Sequence, residues 1–168
     1  MAVSAKSRDL MERALPIYER EHGSDGAEVA RVLNSLGNAY GALGDYAKQR
    51  DMLERALAIN ERAYGRDHTS VAFTLTNLGI AYGRLGDPAK KRDMLERALA
   101  INERAYCRDH TQVAMTLYNL GVAHGSLGDN SKKRDFLQRV LPIWTRAYGT
   151  DHPHTRLCQS ALDELASS

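Results

Sequence analysis

Apolar positions along the chain recur at the spacing of one helix face. Val71, Leu75, Leu78, Tyr82 and Leu85 follow at steps of 4, 3, 4 and 3, which puts them on a single stripe. Met94, Leu95, Ala98, Leu99, Ile101, Ala105 and Tyr106 make a broader stripe further on. A strand needs alternation with period two, and neither segment has it. Two kinds of amphipathic helix are therefore expected, a first type around Val71–Leu85 and a second type around Arg92–Tyr106.

Both kinds repeat. RDMLERALAINERAY at Arg50–Tyr64 recurs unchanged at Arg92–Tyr106, and related versions begin at Arg8 and Arg134, so the starts are 42 apart each time. The first-type segment repeats in phase as VLNSLGNAYGALGD from Val32, TLTNLGIAYGRLGD from Thr74 and TLYNLGVAHGSLGD from Thr116. The 168 residues are four such periods. Inside each period, LGD at Leu43, Leu85 and Leu127 brings a Gly able to end one helix at positive φ. Asp45, Asp87 or Asp129 then caps the next helix. Pro88 suits a first helical turn. Gly65 and Gly149 close the second-type helices, and His68, His110 and His152 are read as linker residues that help close the turn. Neither helix hides its stripe alone, so the pairs must form hairpins and the hairpins must stack. The predicted fold is an all-α solenoid of stacked antiparallel helix hairpins, with about eight helices in a single domain over 1–168. Gly37, Gly79 and Gly121 recur in mid-helix at a cost of roughly 1 kcal/mol each against Ala, which close approach of the paired helix would offset.

Composition narrows the function classes. With 43% hydrophobic and 26% charged residues and a mean hydropathy of -0.48, the chain is neither disordered nor collagen-like. A formal charge of +2 does not advertise nucleic acid or an anionic membrane. Cys107 and Cys158 are read as free thiols of a reducing compartment. MAVSAKSRDL carries charge where a secretory signal needs an apolar core, and no apolar run reaches about 18 residues, so no membrane insertion is expected.

The 42-residue period, the LxNLGxAYGxLGD helix, the ALAI-containing helix and the Gly-x-Asp-His linker resemble tetratricopeptide repeats of the kinesin light chain type. The likeness covers residues 5 to 165. One departure is that Gln49, Lys91 and Lys133 stand where that family usually has a small Ala. The resemblance implies cytoplasmic scaffolding or cargo-adaptor work, and a concave face lined by first-type helices. Its groove offsets fall on Arg31, Asn34, Ser35, Asn38, Phe73, Thr76, Asn77, Ile80, Arg84, Met115, Tyr118, Asn119 and Val122. Spacing agrees for one helix, since Phe73, Thr76, Asn77, Ile80 and Arg84 lie opposite its apolar stripe. Asn side chains suit the backbone of an extended peptide, and Phe73, Ile80, Met115, Tyr118 and Val122 offer apolar contact. Hydrogen bonding between helices is the competing role for Asn77 and Asn119, and contact with the next repeat for Phe73 and Ile80. Gly41, Gly83 and Gly125 are expected to clear room on the same face.

Other groups carry less. Lys48 and Arg50, then Lys90, Lys91 and Arg92, then Lys132, Lys133 and Arg134 form a basic ladder that would suit an acidic segment or a phosphate backbone. Without stacking aromatics among them, a solvated edge is the expected reading and nucleic acid is not the expected partner. His152, His154 and Cys158 are three conceivable ligands with no second pair at zinc spacing, so no metal and no cofactor are expected. Ser, His and Asp recur as structural elements, so no catalytic residue is expected. Cys107 replaces the Gly of its sister repeats, which predicts mild left-handed strain. Pro16 and Pro142 inside second-type helices predict local bends.

The chain opens on a second-type helix, Ala5 to about Glu21, with no first-type partner. Either it is a piece of a longer array or its open end packs on another molecule. Pro153 starts a helix over 153–166 that reads as a C-terminal cap. The expected function is a noncatalytic scaffold holding a short segment of a partner protein in the concave groove. The alternative is an assembly element that self-associates end to end, or docks into a larger complex, through the open N-terminal helix.

Overall fold

The computed structural model describes residues 2–167, with side chains over 5–167. Met1 and Ser168, the outermost residues of the expected domain, lie outside the described residues. Eight helices follow in order: α1 (Ala2–His22), α2 (Ala27–Ala42), α3 (Tyr46–Tyr64), α4 (Thr69–Arg84), α5 (Pro88–Ala105), α6 (Thr111–Ser126), α7 (Asn130–Tyr148) and α8 (Pro153–Ala166). No strand occurs among the described residues. The even-numbered helices are the first type and the odd-numbered the second. Two compact units divide the chain, Met1–Asp87 with α1–α4 and Pro88–Ser168 with α5–α8.

In the first unit α2 packs on α1 and α3, α4 packs on α3, and α2 also touches α4. Val29, Ala30, Leu33, Ala56 and Ile59 form its buried cluster, with Leu15, Tyr18 and Met52 laid against it. In the second unit α6 lies against α5 and α7, and α8 against α7. Val113, Leu117, Leu137, Val140, Trp144, Cys158 and Leu165 are buried there together. Each large aliphatic side chain so enclosed contributes roughly 1.5–3 kcal/mol, and no helix could gain this alone.

The turns work as their residues demand. After α2, Gly44 takes φ 84°, and the Asp45 N–H donates back to the Tyr40 carbonyl at 3.0 Å. The Asp45 side chain then accepts from the Lys48 N–H at 3.1 Å, starting α3. Gly128 and Asp129 repeat the device, with Asp129 accepting from the Lys132 N–H at 3.0 Å. That backbone donor, ahead of the Lys132 charge and of His124, holds the Asp129 carboxylate below its ordinary range. Its capping contribution is therefore present at neutral pH and is lost as pH falls through the lowered value. Between hairpins the cap is the linker histidine. His68, His110 and His152 accept through Nδ1 from the N–H of Ser70, Gln112 and His154 at 3.1, 3.1 and 3.3 Å. Their rings stack on Tyr64, Tyr106 and Tyr148 at 4.6, 4.3 and 4.6 Å.

Cys107 departs from expectation. No described residue other than Gly has positive φ, so Cys107 is not left-handed. The Cβ that Gly65 and Gly149 lack forbids their conformation, and α5 responds by stopping at Ala105, one residue earlier in the repeat than α3 or α7. Helix α1 runs unbroken through Pro16, and α7 through Pro142.

The mid-helix glycines allow the expected close approach. A Cβ on Gly37 would stand 3.0 Å from Leu53 Cγ, and one on Gly121 would stand 3.4 Å from the Lys133 carbonyl oxygen. Gly41 and Gly125 do something other than expected. A Cβ there would fall 2.6 Å from Gln49 Oε1 and 2.7 Å from Lys133 Cδ respectively. The space is filled by the chain's own side chains and not left for a ligand. This is how Gln49 and Lys133 fit where the resemblance calls for a small Ala, since the missing side chain on one helix admits the long one on the other.

Candidate functional site

Residues 31, 35 and 38 on α2, 73, 77, 80 and 84 on α4, and 115, 119 and 122 on α6 recur at steps of 4, 3 and 4, a narrow stripe on each first-type helix. In the first unit Arg31, Ser35, Asn38, Phe73 and Arg84 are exposed, and Asn77 and Ile80 half-buried. Phe73 is 53% exposed, unusual for a side chain of that size on a well-packed helix. The Arg84 guanidinium lies 6.0 Å from the centre of the Tyr46 ring. The Asn77 amide nitrogen is shielded from solvent and has no hydrogen-bond partner. In the second unit Met115, Asn119 and Val122 are half-buried on α6, and Met115 rests against the core.

The position at 34, 76 and 118 lies to one side of that stripe, and its side chains are engaged within the fold. Asn34 is 7% exposed. Its amide donates to the Ala30 carbonyl at 2.9 Å, and its Oδ1 accepts from Thr74 Oγ1 at 3.1 Å. Asn60 Nδ2 donates to the same Thr74 oxygen at 3.1 Å, so three buried polar side chains from α2, α3 and α4 satisfy one another. Thr76 Oγ1 donates to the Ala72 carbonyl at 2.9 Å. Tyr118 leans on Trp144, ring centres 5.1 Å apart, and burial holds its hydroxyl above the ordinary tyrosine value. In the second unit Asn102 donates to Thr116 at 3.0 Å, repeating the Asn60–Thr74 contact one period later.

Part of the basic ladder is locally neutralised. Arg50 pairs with Asp51 at 2.6 Å and Arg92 with Asp93 at 2.7 Å, as Arg8 does with Asp9 at 2.5 Å. Lys48 and Lys132 meet their helix-capping Asp45 and Asp129 at 3.6 and 3.7 Å. Arg134 departs from the pattern and donates to the Leu165 carbonyl at 2.6 Å, binding α7 to the end of α8.

No group of three or more metal-competent His, Cys, Asp or Glu residues gathers among the described residues. His154 stacks near Trp144 at 5.3 Å, and the buried Cys158 thiol donates to the Leu137 carbonyl at 3.4 Å. Burial pushes that thiol up to about 11, so the fold favours its neutral form; the associated stability is full below the ordinary value of 9.0 and declines as pH rises from there. Cys107 is exposed. A thiol reagent at mildly alkaline pH is expected to modify Cys107 quickly and Cys158 only in denaturant, as read by intact mass; equal native rates would contradict the burial of α8 on α7.

A family profile for the tetratricopeptide repeat matches residues 4–59 and 50–104, and a second profile of that description matches residues 113–154. The chain belongs to the tetratricopeptide repeat (TPR) family. Among solved structures it is similar to the nearly identical TPR-like repeats of a Podosopora anserina protein described as a kinesin light chain. That match has 21% identity, a TM-score of 0.81, and covers 98% of this chain and 78% of the other. BtubC (BKLC) from P. vanneervenii is similar at 26% identity and a TM-score of 0.79, over 90% of this chain and 60% of that one. The first TPR of Spaghetti (RPAP3), bound to the HSP90 peptide SRMEEVD, is similar at 20% identity and a TM-score of 0.62, over 84% of this chain and 95% of that one. No curated protein matches the chain in sequence. TPR folds are protein–protein interaction scaffolds and are generally noncatalytic. No described helix of this TPR chain is long and apolar enough to cross a membrane.

The Asn60–Thr74–Asn34 relay was not read from the sequence. Its signal was there to find, since Asn60 and Asn102 each stand 14 residues before a Thr on an otherwise apolar stripe.

Proposed function

We infer that this TPR chain binds a short extended segment of a partner protein along the inner stripes of its first-type helices, as a noncatalytic scaffold. The observation that carries this reading is the α2–α4 face. There the exposed Phe73, the half-buried Asn77 and Ile80, and the exposed Arg84 follow one another along one stripe of α4, and the exposed Arg31 and Asn38 lie on the corresponding stripe of α2. A large apolar side chain in water is a cost that a ligand's apolar residue removes, and the half-buried Asn77 on the same stripe can pair with the ligand's backbone once its side chain turns outward. The flanking arginines favour acidic residues beside that apolar one. Ser35 extends this face on α2, Met115, Asn119 and Val122 repeat the stripe on α6 within the second unit, and Asn34, Thr76 and Tyr118 are engaged within the fold. The similar Spaghetti TPR, whose peptide is acidic, supports the same mode.

A displayed library of random peptides tests this. Enrichment of sequences with one large apolar residue flanked by Asp or Glu is expected. Phe73→Asp and the Asn77→Ala, Asn119→Ala pair should each lower capture roughly tenfold or more with helicity unchanged. Capture unaffected by these variants would remove the inner stripe as the site.

A further inference from the structure

Helix α1 repeats the pattern of α3 but is covered differently. Met11, Ala14 and Ile17 stand 42 residues before Leu53, Ala56 and Ile59, which are 0%, 0% and 2% exposed in the hairpin with α2. On α1, Ile17 is 45% and Leu10 50% exposed, while Leu15 and Tyr18 on its other flank pack into the first-unit core. At about 100° per residue, Lys6, Leu10, Ala14, Ile17 and Glu21 fall within an arc of about 80°. The result is an apolar strip, small at its middle, with a cation at one end and an anion at the other; Lys6 and Glu21 are both exposed.

Such a strip is complementary to itself when turned end for end. An antiparallel crossing centred between Arg13 and Ala14 sets Leu10 opposite Ile17 of a second copy, and Lys6 opposite its Glu21, each pair occurring twice by symmetry. The small Ala14 lies at the crossing, where backbones come closest. A parallel pairing would set Lys6 on Lys6 and Glu21 on Glu21.

The other end of the chain does not offer α1 a seat. In α8, Arg156, Gln159 and Asp163 stand where α6 has Ala114, Leu117 and Gly121. At Gly121 a Cβ would already lie 3.4 Å from a backbone oxygen of the paired helix, so a carboxylate at that register denies the approach a second-type helix needs. Packing of α1 on α8 of another copy is thereby disfavoured, whereas a two-fold α1–α1 contact matches the strip's own complementarity.

We propose that two copies of this chain associate through an antiparallel α1–α1 contact made by Leu10, Ala14 and Ile17 and set in register by Lys6 and Glu21. One short helix pair buries less than the roughly 1,200 Å² of a stable specific interface, so the dimer is weak and concentration-dependent. This is independent of peptide binding on the inner stripe.

Sedimentation equilibrium of the 168-residue chain over a wide concentration range is the test. A monomer–dimer equilibrium that stops at two copies is expected. Ile17→Asp, and as a second variant Leu10→Asp, should abolish it with helicity unchanged. K6E and E21K alone should each weaken association roughly three- to tenfold, because both symmetric pairs become repulsive. An equimolar mixture of K6E and E21K chains should restore it, since every pair in the heterodimer is again of opposite sign. A monomer at all concentrations, growth beyond two copies, persistence in Ile17→Asp, or no recovery on mixing would each overturn the proposal.

Discussion

Trp144→Ala is expected to destabilise the second unit by roughly 3–5 kcal/mol, the usual cost of deleting a buried aromatic and leaving its cavity. Trp144 is 1% exposed. It stands between Tyr118 on α6, at 5.1 Å, and His154 on α8, at 5.3 Å, so it joins three helices of that unit. Its indole N–H has no partner, and truncation therefore orphans no polar group; the loss is one of contact and apolar burial. Trp144→Phe, which keeps most of the ring and removes the unsatisfied N–H, should cost much less. Urea denaturation followed by helix circular dichroism measures both. Similar losses for Ala and Phe would show that the N–H, and not the volume, is what the site uses.

Thr74→Val should be the other large effect, a loss of roughly 2–6 kcal/mol from two buried groups orphaned at about 1–3 kcal/mol each. Thr74 is 0% exposed; its hydroxyl accepts from Asn60, and its one proton is shared between Asn34 Oδ1 at 3.1 Å and the Ser70 carbonyl at 3.0 Å. Val keeps the shape and removes the hydroxyl, leaving both amides without it. The same substitution at Thr155 should have the opposite sign. Thr155 is 3% exposed, with a hydroxyl lacking any partner, and it occupies the place where earlier repeats have Val29, Val71 and Val113. Thr155→Val is expected to stabilise by about 1 kcal/mol. The two variants make the same chemical change, so opposite shifts in urea midpoint isolate the relay; shifts of equal sign would deny it.

The Asn–Thr contact also separates the inner repeats from the outer ones. Asn60–Thr74 and Asn102–Thr116 are polar, whereas the corresponding pairs near the ends are Tyr18–Val32 and Trp144–Cys158. The terminal hairpins are thus held by apolar burial alone at the register where the inner ones use buried amides. A buried Asn that finds its Thr only in the correct alignment favours one stacking register over a slipped one, a specificity that packing of similar Leu-rich stripes supplies less well.

Much of this molecule was legible before any coordinates. The number of helices, their alternation and the 42-residue period are local properties, set by apolar spacing and by Gly–Asp and His turns whose partners lie two to five residues away. The sites of the caps at Asp45 and Asp129 were legible for the same reason. Conformation at Cys107 was not, because the chain could avoid left-handed strain by ending α5 early, and sequence does not say which neighbour yields. Nor was the filling of the space beside Gly41 and Gly125, which depends on a side chain from the paired helix.

By itself, then, the sequence determined an all-α repeat and which residues share one stripe on each first-type helix, since helical period is a short-range consequence of backbone geometry. Tertiary structure decided which polar members of that neighbourhood find a partner. Asn34 and Asn77 are alike in composition and neighbouring in phase. One is bonded to Thr74, 40 residues along the chain, and the other has no partner for its amide. That difference arises because a buried hydrogen bond is settled by whichever group the folded chain brings within about 3 Å, and spacing along one helix carries no information about the group arriving from another.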